Sequence, residues 1–285
     1  REPDMHEPSG DLRRVIEALE VQWPDRVSGT VSCDLHVLQQ LQMALRQGKW
    51  TVTIALRAGC QIVAVWPGLK DQILGAAVDV GSTTMSAHIC DMNDGTVLAS
   101  TGIMNPQIRF GEDLMSRVSY GIMNEGGAAE MTKAVCEGLQ QLIAGGAEKA
   151  GCTADDVLEV VLVGNPVMHH LLLGIDPVEL GGAPFALAVD TATEIKADEI
   201  NLSLNKGSRI YILPCIAGHV GADAAGVVLA EAPQDGSDVQ LLIDVGTNAE
   251  IVLGNKDRLL AASSPTGPAV EGAQISSGQR AAPGA

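Results

Sequence analysis

Basic side chains are scarce. The chain holds 18 lysines and arginines against 35 aspartates and glutamates, a formal charge of −17 over 285 residues. That balance argues against a broad surface for nucleic acid or anionic membrane and leaves room only for a local basic patch. Long apolar runs are missing as well. No stretch reaches transmembrane length and no signal peptide opens the chain, so the expected setting is cytoplasmic. The six cysteines, at 33, 60, 90, 136, 152 and 215, form no CxxC or other tight pair. Isolated thiols suit a reducing compartment better than a disulfide framework or an iron–sulfur centre. Also absent is GxxxxGK[ST], which removes the P-loop, and neither "GIMNEGG" nor "GHVGADAAG" has the full context of a dinucleotide fingerprint.

What is present is one device used twice. "GAAVDVGSTTMSAHICD" (75–91) is an apolar run ending in Asp79, followed by Gly81, Ser82, Thr83 and Thr84. "LLIDVGTNAEIVLGN" (241–255) repeats it with Asp244, Gly246, Thr247 and Asn248, 165 positions later (244 − 79). A glycine turn at a strand end brings backbone N–H groups up to an anion, and small hydroxyl side chains add donors without blocking the approach. An aspartate there repels bare phosphate, so its useful role is to hold Mg²⁺, directly or through water, or to orient a nucleophile. The bland alternative, two tight turns each with an Asp at its edge, is weakened by the repetition.

Around these loops the periodicity predicts helices over 9–22, with Ser9 as cap, and over 33–48, then two strands within 50–68 turning near Ala58–Gly59. These make a small α/β domain over 1–70, with "PGLKDQ" as its boundary. Three strands follow (73–79, 84–91, 96–101), then helices at 110–121 and 127–151. A strand at 158–165 leads into helical "PVMHHLLLG"; 180–204 has no clear signal; a strand at 209–214 precedes a helix after "GHVG". The pattern restarts with strands at 240–244, 248–254 and 258–262. This order suggests two related α/β lobes, 73–236 and the opening of a second at 237–285. The chain starts on "REPDMHEPSG" and stops at "GQRAAPGA", and only 245–285 follow Asp244, so both ends read as cut from something longer.

"DVGSTT" and "DVGTNAE" resemble the two phosphate motifs of the acetate and sugar kinase, heat-shock-protein-70 and actin (ASKHA) superfamily, and "LVGNPVMHHLLLG" its first connecting segment. More narrowly, "NPQIRFGEDLMSRV", "LPCIAGHVGADAAG" and "GPAVEGAQISSGQRAAPGA" resemble reductive activators of corrinoid proteins. The similarity covers roughly 73–285, and 1–70 resembles the activators' small middle domain. It implies an actin-like ATPase with ribonuclease-H-like lobes, the second incomplete, behind a small α/β domain. It further implies ATP and Mg²⁺ as cofactors, Asp79 and Asp244 as catalytic and Mg²⁺-binding, and Gly81, Ser82, Thr83, Gly246, Thr247 and Asn248 as nucleotide contacts. The implied task is ATP-driven return of a protein-bound Co(II) corrinoid to Co(I). The partner would be a corrinoid protein or corrinoid-dependent methyltransferase, with a homodimer as one possible assembly. Such activators carry a plant-type [2Fe–2S] domain as electron donor, which these cysteines do not supply, so it is expected only in a missing N-terminal domain. The segment is therefore expected to be electron-inert, with a partial nucleotide site. Ser263, Ser264 and Ser277 stand where several relatives carry cysteine. A small-molecule kinase and an ATP-regulated protein-binding or chaperone-like module share the same loops and stay open; a metal site on His169, His170, His219 and Cys215 lacks HExxH spacing.

Overall fold

A computed structural model describes residues 2–6, 8–246 and 248–265. The first 72 residues form α1 (Asp11–Gln22), β1 (Ser32–Cys33), α2 (Leu35–Gln47), β2 (Val52–Arg57) and β3 (Gln61–Pro67), the strands ordered β1-β3-β2. Val37, Leu41, Ala44 and Leu45 repeat at helical spacing on α2 and bury against Ile62 and Val65 of β3. The expected Ser9 cap is not made. Gly10 occupies the cap position without a side-chain bond, and Ser9 instead offers its carbonyl to the buried Arg14 guanidinium.

A six-stranded sheet follows, ordered β6-β5-β4-β7-β9-β8. Its strands are β4 (Leu74–Val80), β5 (Thr84–Asp91), β6 (Val97–Met104), β7 (Val157–Gly164), β8 (Thr193–Lys196) and β9 (Arg209–Ile212). β4, β5 and β6 form an antiparallel meander, whereas β7 and β9 run parallel to β4 after helical crossovers. Strand alternation sends Leu74, Ala76, Val78 and Val80 into the core and leaves Asp79 on the other face. Opposite them lies α4 (Gly127–Lys149), whose Met131, Val135, Leu139, Leu142 and Ile143 are all fully buried. α3 (Leu114–Met123) and α5 (Pro166–Leu172) complete that layer; every residue of α5 is buried. Segment 180–204, without a clear signal in sequence, contributes the short edge strand β8 and the 3₁₀ turn Ala197–Ile200, whose Ala197 and Ile200 are buried. Helices α3, α4 and α5 cover one face of the sheet, and Asp79 lies on the other.

α6 (Ala222–Glu231) packs on that second face. It touches β7 and also β10 (Gln240–Val245) and β11 (Asn248–Asn255), which with β12 (Arg258–Pro265) form a separate antiparallel sheet. Helix α6 is thus the bridge that brings the second hairpin beside the first. The small domain is fastened to the large sheet by charge. Asp34 accepts from Gln61 Nε2 at 2.7 Å and from the buried Arg209 Nη2 at 3.1 Å, and Lys70 Nζ meets Asp156 at 2.6 Å. Those partners hold the Asp34 and Asp156 carboxyls below the usual range despite the opposing cost of burial.

Candidate functional site: two aspartate loops across one cleft

Asp79 pairs across the β4–β5 hairpin with Ser86, and Asp244 across β10–β11 with Glu250. The two hairpins are not identical, because the first spends one residue more between its paired strands. Burial raises the Asp79 carboxyl above its ordinary pKa, and the negative charge of Asp244 raises it further. Asp79 is open to solvent by surface area yet walled by protein on several sides, as a cleft requires. The two sequence-related carboxylates therefore face one space from two different sheets.

Two more acids share it, and the sequence reading singled out neither. Asp223 lies in the first turn of α6, where its Oδ1 accepts the Ala224 N–H at 2.8 Å. Burial pushes its pKa up to about 7, against that hydrogen bond, and Glu250, Asp79 and Asp244 add to the rise. Helix N-termini favour anions, but desolvation and three like charges outweigh that here. Glu250, buried, is raised by burial and by Asp244, although Ser263 bonds it at 3.3 Å. The signal for Asp223 was the acid just inside the glycine-rich start of a helix after a strand; for Glu250 it was the last letter of "DVGTNAE".

The first loop is held from beneath by a polar layer. Asn105 Nδ2 donates to the Gly81 carbonyl at 2.8 Å, and its backbone N–H donates to Thr83 O at 2.8 Å. Arg117, on α3 and fully buried, donates to the Ser82 carbonyl and to Gly111 O at 3.1 Å, and meets Gln107 Oε1 at 3.3 Å. Burial draws its pKa down to about 10, with Asp113 opposing, so the guanidinium stays charged at neutral pH. Asn165, at the cap of α5, accepts the Met168 N–H at 3.0 Å and donates to Ser82 Oγ at 3.1 Å. The stretch "NPQIRFGEDLMSRV" thus folds into a brace for Gly81–Thr83, which its linear form did not disclose.

The two loop glycines differ in crowding. A Cβ on Gly81 would sit 2.4 Å from the Thr84 carbonyl oxygen, whereas on Gly246 it would meet only Asn248 O at an ordinary 3.6 Å. Gly246 donates its N–H to that oxygen at 2.8 Å. Thr247 and the stretch 266–285, including Ser277, lie outside the described residues; Ser82 and Thr83 lie on the first loop and Asn248 opens β11.

The donor set suits a divalent cation better than nothing. Burial and neighbouring carboxylates raise the pKa of Asp79, Asp223 and Glu250, and a hard cation would relieve that repulsion. Among the described residues no three His, Cys, Asp or Glu side chains stand close enough to ligate one ion by themselves. The thiols do not fit a [2Fe–2S] centre: all six are separate, and burial pushes Cys136 and Cys215 up to about 11 and 12. The histidines do not form a metal site either. His170 sets Nδ1 against Pro166 O at 2.9 Å and accepts the Ala188 N–H on Nε2 at 2.9 Å, which fixes a neutral ring. His169 is buried with neither ring nitrogen bonded, and burial draws its pKa down to about 4. No helix among the described residues is long and apolar enough to cross a membrane.

An α/β chain with paired aspartate loops across a cleft is an ASKHA-type protein, and comparison refines the class. Residues 74–234 match the RACo middle region, 1–72 the RACo linker region, and 238–285 the C-terminal domain of RACo, the ASKHA domain. The chain belongs to the RACo family. It is 35% identical over 213 residues to the corrinoid activation enzyme RamQ of Eubacterium limosum, covering 75% of this chain and 36% of that protein. It is 43% identical over 76 residues to a [Co(II) methylated amine-specific corrinoid protein] reductase of Methanosarcina barkeri, 27% of this chain and 14% of the other. A solved reductive activator for corrinoid, iron–sulfur protein superposes with a TM-score of 0.84 at 32% identity, over 99% of this chain and 45% of that one. The chain spans less than half the length of these relatives.

Proposed function

We propose that this protein is an ATP-dependent reductive activator that returns a Co(II) corrinoid, carried by a partner protein, to Co(I), and that the described cleft is its triphosphate site. The observation that carries the reading is that α6 packs against β7, β10 and β11, bringing two loops of the same design to one space. Similarity to RamQ and to the solved activator supports the corrinoid as the object of the reaction.

The residues divide the work by chemistry. Backbone N–H groups of Gly81–Thr83 receive phosphate oxygens, held in place by Asn105, Asn165 and Arg117. Gly246 and Asn248 close on the same phosphates from the other sheet, and Thr247 joins them by its place in the motif alone. Asp79 and Asp244 hold Mg²⁺ or its waters; when bound, that ion neutralises charge developing on the phosphates. Asp223, ionised, accepts a hydrogen bond from a water aimed at the γ-phosphorus. The water oxygen bonds to phosphorus, the bond to the β–γ bridging oxygen breaks, and ADP, phosphate and a proton leave. Hydrolysis can drive reduction only if the ATP and ADP states bind the corrinoid partner differently. The resemblance to corrinoid activators supports a [2Fe–2S] group of the complete protein as the electron donor.

Anaerobic absorbance spectroscopy of the complete protein with a reduced electron donor and a Co(II) corrinoid protein tests the reading. Co(I) bands should grow faster with ATP and Mg²⁺ than with ADP or with ATP plus chelator. ATP turnover without any change at cobalt would transfer the protein to the kinase or binding-protein reading.

A further inference from the structure

Residues 182–190 form no helix or strand, yet three contacts pin them over the chain that follows β7 and β9. Ala188 donates its N–H to His170 Nε2 at 2.9 Å, on the same α5 whose Asn165 bonds the first aspartate loop. Leu187 packs against buried Leu213, Cys215 and Ala222, which flank the turn between β9 and α6. The Phe185 ring meets the His219 ring edge-on, with 4.3 Å between centres, and a Cβ on Gly218 would overlap the Phe185 carbonyl. Phe185 itself adopts φ 58°, a left-handed backbone that a bulky residue avoids. Such an outlier persists only where its surroundings hold it, and such outliers cluster at sites of function.

The turn beneath this strap leads to Asp223. Ile216 and Ala217 both donate to Val220 O, at 2.8 and 2.9 Å, which closes residues 216–220 into a tight loop. Gly221 then passes directly over the start of α5. A Cβ there would lie 2.6 Å from both Asn165 Cα and Gly164 O. Asp223 follows in the first turn of α6. Its bond to the Ala224 N–H lies within its own helix, so it cannot set where that helix points. The turn does that, held on one side through Gly221 and on the other through Gly218 and His219. Helix α5 supports both sides, with Asn165 at its cap and His170 one turn on.

We propose that 182–190 is a positioning strap for Asp223, in which Phe185 and His170 keep the β9–α6 turn in register with the first aspartate loop. The inference rests on the role given to Asp223 in hydrolysis. A water aimed at phosphorus loses its in-line approach when its acceptor drifts, and a drift of about 1 Å is enough to slow the step severely. Phosphate binding draws on other residues, so the strap acts on turnover and leaves affinity alone.

Phe185→Gly suits φ 58° and removes the ring, so the fold is kept while the turn loses its cover. In the complete protein its kcat for ATP should fall about ten-fold or more, with KM within about two-fold of wild type. Phe185→Tyr keeps the ring and should restore kcat to within about two-fold. In an Asp223→Asn background, Phe185→Gly should cost less than about two-fold more, because both act on one step. Hydrogen exchange without nucleotide supplies a readout that needs no turnover. Amides of 217–224 should exchange about ten-fold faster in Phe185→Gly, and those of 81–84 as in wild type. His170→Leu, which removes the acceptor for Ala188, should reproduce both effects. Equal losses of kcat with and without Asp223, a raised KM in place of a lowered kcat, or unchanged exchange in both variants overturns the proposal. A complete protein that turns over no ATP defeats the hydrolysis reading instead, and exchange at 217–224 then decides alone whether the strap holds the turn.

Discussion

Asn165 Nδ2 donates to Ser82 Oγ at 3.1 Å, joining the start of α5 to the first aspartate loop across 83 residues of sequence. The same side chain caps α5 through its Oδ1, so one amide serves a helix end and a ligand loop at once. Asn165→Asp separates the two duties. The carboxylate still accepts the Met168 N–H, so thermal stability should stay within about 1 kcal/mol of wild type. It cannot donate to Ser82 and adds a negative charge, so the KM for ATP should rise about ten-fold. Steady-state kinetics beside a melting curve gives both readings.

Arg117 is the buried cation beneath the loop. Arg117→Met fills similar space but leaves the Ser82 and Gly111 carbonyls unmatched, which should cost about 1–3 kcal/mol of stability. ATP binding should weaken about ten-fold or more, and Arg117→Lys should recover part of it by restoring charge without the fork. Denaturant unfolding and nucleotide titration of the pair measure this; an unaltered affinity in Arg117→Met would remove Arg117 from the loop's support.

Gly81 and Gly246 should part company. Gly81→Ala drives a Cβ toward the Thr84 oxygen and should lower both stability and nucleotide affinity. Gly246→Ala meets only ordinary contact and should leave the unfolding midpoint within the spread of neutral surface changes, about 0.5 kcal/mol. Equal melting temperatures for the two variants would show that the hairpins are equally tolerant.

The acidic cluster sets a pH dependence of defined sign. Asp223 has a folded pKa of about 7, above its ordinary 3.8, so its contribution to stability is present below about pH 4 and is lost as pH rises through 7. Asp79 and Glu250 shift in the same direction. Without nucleotide, stability should fall between pH 4 and 7, less steeply in Asp223→Asn, and millimolar Mg²⁺ with ATP should flatten the fall. Hydrolysis should rise through pH 7 as Asp223 ionises, and Asp223→Asn should lose that limb together with most of the rate.

Asp79→Asn and Asp244→Asn should keep the fold and reduce Mg²⁺-dependent ATP turnover at saturating substrate. Each keeps approximate shape and removes one of the charges that organise the ion. Normal rates in both would make the aspartates turn residues only.

Much of this was legible beforehand because local rules and tertiary needs agree. The β4–β5 and β10–β11 hairpins follow from alternation bounded by glycine, and α4 from its repeat of Met131, Val135, Leu139 and Leu142. What escaped is what depends on distant chain meeting. Asp223 becomes a cleft acid only because α6 lies between β7 and the second sheet, and Arg117 reaches Ser82 only after α3 folds over the loop. Periodicity reports which face a residue takes and says nothing of which partner arrives there.

The Asp34–Arg209 pair, with Gln61 on the same carboxylate and Lys70–Asp156 nearby, ties the small domain to β9 and to the turn before β7. A domain anchored at several points has no hinge of its own. It is an outrigger of the sheet, so any rotation of β7 and β9 carries it along.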